Sequence, residues 1–161
     1  MQKELKLQNG TVMYDSEDSH IVDAYVWKTY NFAKSGADPR YYACSYSNGK
    51  NLYMHRLLSG AELGTEVDHI NMDGLDNRRS NLRVVSRSQN SANKVAIGGT
   101  SDFKGVCKAN TKSPRWRAWI MVNKVSKYLG SFKTELDAAM AYDLAAKTYF
   151  GVHARTNFQM E

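Results

Sequence analysis

The sequence predicts an α+β protein made of two small parts, and three observations carry that reading. Short runs rich in Val, Tyr, Trp and Thr, parted by Asn-Gly turns, fill residues 1–55. Residues 66–94 then run strand, loop, strand, helix. Beyond a Gly-rich break, three further strand-like runs precede one Ala-rich helix. A chain of 161 residues suits one compact domain or two small ones. Each small one would have a modest core.

The strand runs of the first part are TVMYD, YVWKTY, YYACSY and KNLYMH. The turn signals are Asn9-Gly10 and Asn48-Gly49, the second a good hairpin signal. DSEDSHIVDAYV, between the first two runs, reads as a short helix opened by an Asp or Ser cap. HRLLSGAEL reads as a brief helix. Strands at 66–70 and 82–85 flank a loop, and a helix over 87–94 follows with Ser86 as its N-cap. VAIGGTSDF breaks the pattern and places a linker at 96–102. FKGVCKA, RWRAWIMV and SKYLGSF are the three later strands. The helix over 135–149 has Thr134 as N-cap, the acids Glu135 and Asp137 in its first turn, and Gly151 at its end.

Composition narrows the function. A net charge of +6 and a pI near 9.3 suit a polyanionic partner. From residue 96 onward ten Lys/Arg stand against five acids, so the excess is concentrated in the C-terminal part, the electrostatic footprint expected for DNA. In the N-terminal strands the charges balance. Cys44 and Cys107 form no CxxC pair, which argues against a zinc ribbon or disulfide framework and for reduced thiols in the cytoplasm. No apolar run has membrane-spanning length, and the N-terminus is too polar for a signal peptide.

The densest chemistry lies in VDHINMDGLDNRRSNLRVVSRSQNSANK, residues 67–94. His69 can take a proton from water, and Asp68 and Asn90 offer hard oxygen ligands to a divalent cation. On a strand, neighbouring side chains point to opposite faces, so Asp68 and His69 diverge. With Asp68-His69, Asn81 and Asn90 in this order and spacing, the stretch resembles the His-Asn-His (HNH) nuclease motif. It takes the form with Asn in third position that is found in phage and intron homing endonucleases. The resemblance implies a ββα-metal fold over 64–94 within a nuclease domain of residues 1–95. It assigns His69 as general base and Asn81 as the residue that orders the loop and orients the histidine. Asp68 and Asn90 become the protein's ligands for Mg2+ or Mn2+, which prefer oxygen donors, rather than zinc. Gln89 and Asn93 compete with Asn90, and Asn77 with Asn81. Arg78, Arg79, Arg83 and Arg87 are available for phosphates. His55 is expected to pack or cap, and His20 and His153 to be structural or solvated.

In the C-terminal block, RWRAWIMV alternates. Trp116, Ala118, Ile120 and Val122 fall on one face, with Arg117, Trp119 and Met121 on the other. The Ala-rich helix should cover the first face and leave Arg117 and Trp119 uncovered. Gly105-Val106, Trp116, Ala118, Ile120, Tyr128-Leu129-Gly130-Ser131-Phe132, Ala138-Ala139, Ala141-Tyr142-Asp143, Ala145-Ala146, Gly151 and Thr156-Asn157-Phe158 together resemble an AP2-type DNA-binding domain over 103–161. The resemblance implies a three-stranded antiparallel sheet plus one helix, with the bare sheet face on DNA. It points to Lys104, Lys108, Arg115, Arg117, Trp119 and Tyr128 as contacts. Cys107 and Tyr128 stand where plant AP2 domains carry Arg and Trp, so base preference does not transfer.

The sequence therefore points to a site-specific endonuclease of homing type, acting on double-stranded DNA as a monomer that nicks. It needs no small-molecule cofactor beyond the metal and no membrane; if phage-encoded, it works in the host cytoplasm. The rival reading is a non-enzymatic DNA-binding regulator on a nuclease scaffold.

Overall fold

The computed structural model describes residues 1–33, 37–94, 99–110 and 115–158. It is a mixed α+β protein whose backbone contacts divide into two units, Met1–Val85 and Ser86–Glu161.

The first unit opens with a hairpin of β1 (Gln2–Leu7) and β2 (Gly10–Asp15). The strand β1 is absent from the sequence expectation. Its Lys/Glu alternation is only half apolar, and it is a strand because β2 gives it a ladder. A one-turn helix α1 (Ser19–Val22) follows. The run expected as a strand from Tyr25 starts only at Lys28, since Trp27 turns inward and donates its indole N–H to the Val22 carbonyl at 2.8 Å. β3 (Lys28–Asn31), β4 (Tyr41–Ser47) and β5 (Lys50–Tyr53) form an antiparallel sheet in that order. Asn48 and Gly49 both have positive φ, 52° and 75°, which is the turn geometry that Asn-Gly favours between strands. α2 (Met54–Ser59) ends at Gly60, whose left-handed backbone stops the helix short of the expected Leu63. Met54 and Leu58, one turn apart, bury fully against Val12, Tyr14, Val22, Trp27 and Ala43. A separate two-stranded ladder, β6 (Glu66–His69) with β7 (Leu82–Val85), completes the unit.

The second unit begins with α3 (Arg87–Asn93). Ser86 caps it through a reciprocal pair: its hydroxyl accepts from Gln89 N, and its own N–H donates to Gln89 Oε1. β8 (Val106–Lys108), β9 (Trp116–Val122) and β10 (Val125–Phe132) make an antiparallel sheet ordered β10-β9-β8, with a bulge between Tyr128 and Gly130. α4 (Glu135–Phe150) is capped by the Thr134 hydroxyl, which accepts from Asp137 N, and ends at Gly151. Its alanines let it lie close on the sheet: Ala138, Ala139 and Ala146 are buried against Ala118 and Ile120. Buried Asp143 accepts from the N–H groups of Asn157 and Phe158 at 2.8 and 2.9 Å, and so fastens the C-terminal segment.

The sequence draws its domain boundary at 96–102, of which residues 96–98 lie outside the described residues. By contacts the units part after Val85, because Ala92 of α3 buries with Ile120, Tyr142, Ala146 and Phe150.

Candidate active site

In the β6–β7 ladder Asp68 lies opposite Arg83 and His69 opposite Leu82. The pleat sends the two neighbouring side chains to different surroundings. Asp68 meets Arg83, whose Nε and Nη2 both donate to Oδ2, at 2.9 and 2.7 Å. His69 is 5 % exposed and sits among rings, with centroids of His55 at 5.1 Å and Tyr42 at 5.6 Å. Its Nε2 stands 3.5 Å from Asn77 Oδ1. A proton on Nε2, the assignment that this acceptor favours, places the ring's lone pair on Nδ1. Burial lowers the pKa of His69, against the opposing pull of Asn77 and of the carboxylates Asp68, Asp73 and Asp76. At neutral pH the ring is therefore in the form that accepts a proton.

The loop between the strands is held from three sides. Asn81, 8 % exposed, accepts from Asn71 N at 3.0 Å and donates to Asn71 Oδ1 at 2.9 Å and to the Asp76 carbonyl at 2.8 Å. Asp76 is fully buried; Arg78 donates to it from Nε at 2.7 Å and Nη2 at 2.6 Å, and Asn71 Nδ2 adds a third bond. The β2 strand supplies the backbone anchor, with Met13 N donating to Leu75 O and Asn77 N to Met13 O. The N-terminal hairpin thus braces the loop that carries Asn77 to His69. Gly74 is needed there because a Cβ would lie 2.3 Å from the Tyr41 carbonyl.

Among the arginines expected at phosphates, Arg78 pairs with Asp76, Arg79 with Asp18, and Arg83 with Asp68 inside the protein. Arg78 and Arg79 keep 35 % and 54 % of their side chains exposed, whereas Arg83 keeps 14 %. Arg87 is exposed at the start of α3, Asn90 is half-buried on the same helix, and Asn93 is buried.

In the second unit Arg117, Trp119 and Tyr128 share the sheet face that α4 leaves bare, with the Trp119 and Tyr128 rings 4.8 Å apart. Trp119 and Tyr128 are exposed, and Arg117 is half-buried. Arg115 is exposed just ahead of β9. Lys108 pairs in register with Trp116, on the other alternation of the sheet. Lys104 is occupied differently from the expectation: its ammonium donates to the carbonyls of Ala92 and Lys94, closing the C-terminal end of α3. Burial pushes its pKa down to about 8.

Sequence reasoning passed over Tyr42 and His55 as site residues and treated Asn77 as a competitor of Asn81. The structure divides that labour: Asn77 touches the imidazole, and Asn81 holds the loop. No local signal marks Tyr42 or His55, since both reach His69 only through the sheet and α2. Among the described residues no three His, Cys, Asp or Glu side chains gather as a metal site.

Residues 53–92 match the family described as HNH endonuclease. An uncharacterized HNH endonuclease of Acanthamoeba polyphaga mimivirus is 32 % identical over 154 residues, covering 92 % of this chain and 75 % of that protein. An AP2-like ethylene-responsive transcription factor of Arabidopsis thaliana is 42 % identical over 64 residues, which take in 38 % of this chain and 13 % of the plant protein. The APETALA2-like protein 2 of Oryza sativa subsp. japonica is 44 % identical over 63 residues, 38 % of this chain and 14 % of its own.

Proposed function

This chain belongs to the HNH endonuclease family, and from that premise we propose that it is a site-specific DNA endonuclease of homing type. Residues 1–95 would carry the nuclease and residues 103–161 an AP2-like DNA-binding part. The observation that carries the reading is His69. It is a buried ring with its pKa lowered by that burial, braced by Asn77, at the end of a strand whose preceding residue is Asp68.

In this reading His69 takes the proton from the water that attacks the phosphodiester. Asn77 fixes the tautomer and Asn81 fixes the loop that presents Asn77. Asp68, with Asn90 as the motif implies, would hold Mg2+ or Mn2+. The donor chemistry fits, one carboxylate and one carboxamide being hard oxygen ligands. Bound there, the cation would stabilise the charge growing on the phosphate and the departing 3′ oxygen. The bare face with Arg117, Trp119 and Tyr128 would lie on duplex DNA, supported by the likeness to the plant factors. A single such site acting from a monomer would open one strand first.

The test is a supercoiled plasmid library from the source genome, digested with Mg2+, with Mn2+ and with EDTA. His69→Ala should lower cleavage about 100-fold or more while leaving DNA affinity nearly unchanged. Cleavage in EDTA, or undiminished cutting by His69→Ala, would refute the assignment. Asp68→Ala and Asn90→Ala should each weaken metal binding, and unchanged affinity would remove that residue from the ligand set. Open circles should precede linear product.

A further inference from the structure

We propose that the uncovered face of the β3–β4–β5 sheet is a stacking surface for an unpaired DNA base next to the phosphate that His69 serves. The proposal rests on the nuclease reading above and adds the state of the substrate: a strand locally unstacked at the cut.

Register fixes which residues share this face. Tyr30 lies opposite Tyr42, and Cys44 lies opposite both Lys28 and Tyr53. The intervening Ala43 and Ser45 are buried, with Ala43 in the core. The other face therefore presents aromatic rings outward, continued by Phe32 and Tyr46. Tyr30, Phe32 and Tyr46 remain 60 %, 47 % and 73 % exposed. Folding leaves these rings in water although the same sheet buries its opposite face.

The rings form a continuous path to the site. Phe32 touches Tyr30, Tyr42 and Tyr53, with centroids 4.8, 5.4 and 5.9 Å away. Tyr53 reaches His55 at 5.8 Å, and His55 reaches His69 at 5.1 Å. Between them opens a cavity of about 320 Å³ lined by Phe32, Tyr42, Tyr53, His55, Arg56 and Val67. That is the scale at which small-ligand pockets begin, roughly 300 Å³. None of these lining residues is acidic, and Lys28 stands on the same sheet face. Buried His55 Nδ1 has no hydrogen-bond partner among the described residues.

A base fits this chemistry better than an apolar protein segment. It offers a flat π-face to the rings, polar edges, and a phosphate that favours the nearby positive charge over a carboxylate. Every base has such a face, so stacking tolerates any sequence. That suits a nuclease part whose site choice comes from elsewhere in the chain. A base can meet these rings only after leaving its neighbours in the duplex.

The experiment uses the full chain in EDTA, so that nothing is cut. A single-stranded oligothymidylate carrying one 5-iodouracil is bound, irradiated and mapped by peptide mass spectrometry. Cross-links should fall on Phe32, Tyr42 or Tyr53. Phe32→Leu with Tyr53→Leu should weaken binding of this strand about tenfold and change binding of duplex of the same length less than twofold. If the double variant loses its fold by circular dichroism, Phe32→Ala alone serves, because that ring is 47 % exposed. Cross-links confined to Trp119 and Tyr128, or a folded variant that binds the strand like wild type, would overturn the proposal. Cutting that survives His69→Ala would sink the nuclease assignment of His69 without moving the cross-link map. Loss of the map with His69-dependent cutting intact would sink the stacking surface alone.

Discussion

Replacing Asn81 by Asp tests the loop-holding role, because it keeps the side chain's shape while removing its donor. Oδ1 still accepts from Asn71 N. The Nδ2 donor disappears, and with it the bonds to Asn71 Oδ1 and the Asp76 carbonyl, 2.9 and 2.8 Å long. An oxygen then faces two acceptors. Each net hydrogen bond contributes about 1 kcal/mol, and a buried acceptor left without a donor costs about 1–3 kcal/mol. The first unit should therefore lose roughly 2–4 kcal/mol. Hydrogen exchange followed through a urea series, read on peptides from 66–85, isolates that unit from the second. Exchange over 70–77 should rise most. Cleavage should fall about 10- to 100-fold, as for groups that orient a site's side chains, with DNA affinity unchanged. A variant within about 0.5 kcal/mol of wild type, an ordinary surface effect, would show that Asn81 does not hold the loop.

Three further expectations follow from the geometry. His55 is held neutral, its pKa pushed to about 3 by burial, with His69 and Arg56 adding to the shift, against 6.5 for the free side chain. Between those values the unfolded chain binds the extra proton. Stability should therefore fall as pH drops from about 6.5 toward 3, by an order of 2–3 kcal/mol at pH 4. Urea midpoints of metal-free wild type and His55→Gln across pH 7 to 4 measure it, and equal acid slopes would refute it. Gly105 has φ +76°, and a Cβ there would lie 2.0 Å from the Tyr142 ring and 2.6 Å from the Trp119 carbonyl. Gly105→Ala should cost the second unit roughly 2–5 kcal/mol from strain and overpacking, seen as earlier exchange in 103–150, and an unaltered midpoint would contradict that packing. Arg117→Ala with Trp119→Ala should remove most specific DNA affinity and flatten its dependence on salt; unchanged binding at every salt concentration would move recognition to the first unit.

Local chemistry was legible in the sequence. The Ser86 and Thr134 caps, the Gly151 terminus, the Asn48-Gly49 turn and the alternation of β9 depend on neighbours within a few residues. The order of Asp68, His69, Asn81 and Asn90 is likewise read directly along the chain. The strand β1 was not legible, because its ladder partner rather than its own pattern makes it a strand. Nor was the occupation of Arg78, Arg79 and Arg83: whether an arginine meets a phosphate or a carboxylate depends on which carboxylate the fold brings near, and Asp18 is 61 residues from Arg79 in the chain. Lys104 is a similar case, its charge turned onto the end of α3. The sequence by itself determined the family, the order of the elements from β2 onward, and which residue types are available along the chain. Only the tertiary structure decided that Asn77 rather than Asn81 touches the imidazole, and that Tyr42 and His55 surround it. Those contacts join the loop, a sheet and α2 across the first unit, where long-range packing sets the distances and no local pattern encodes them.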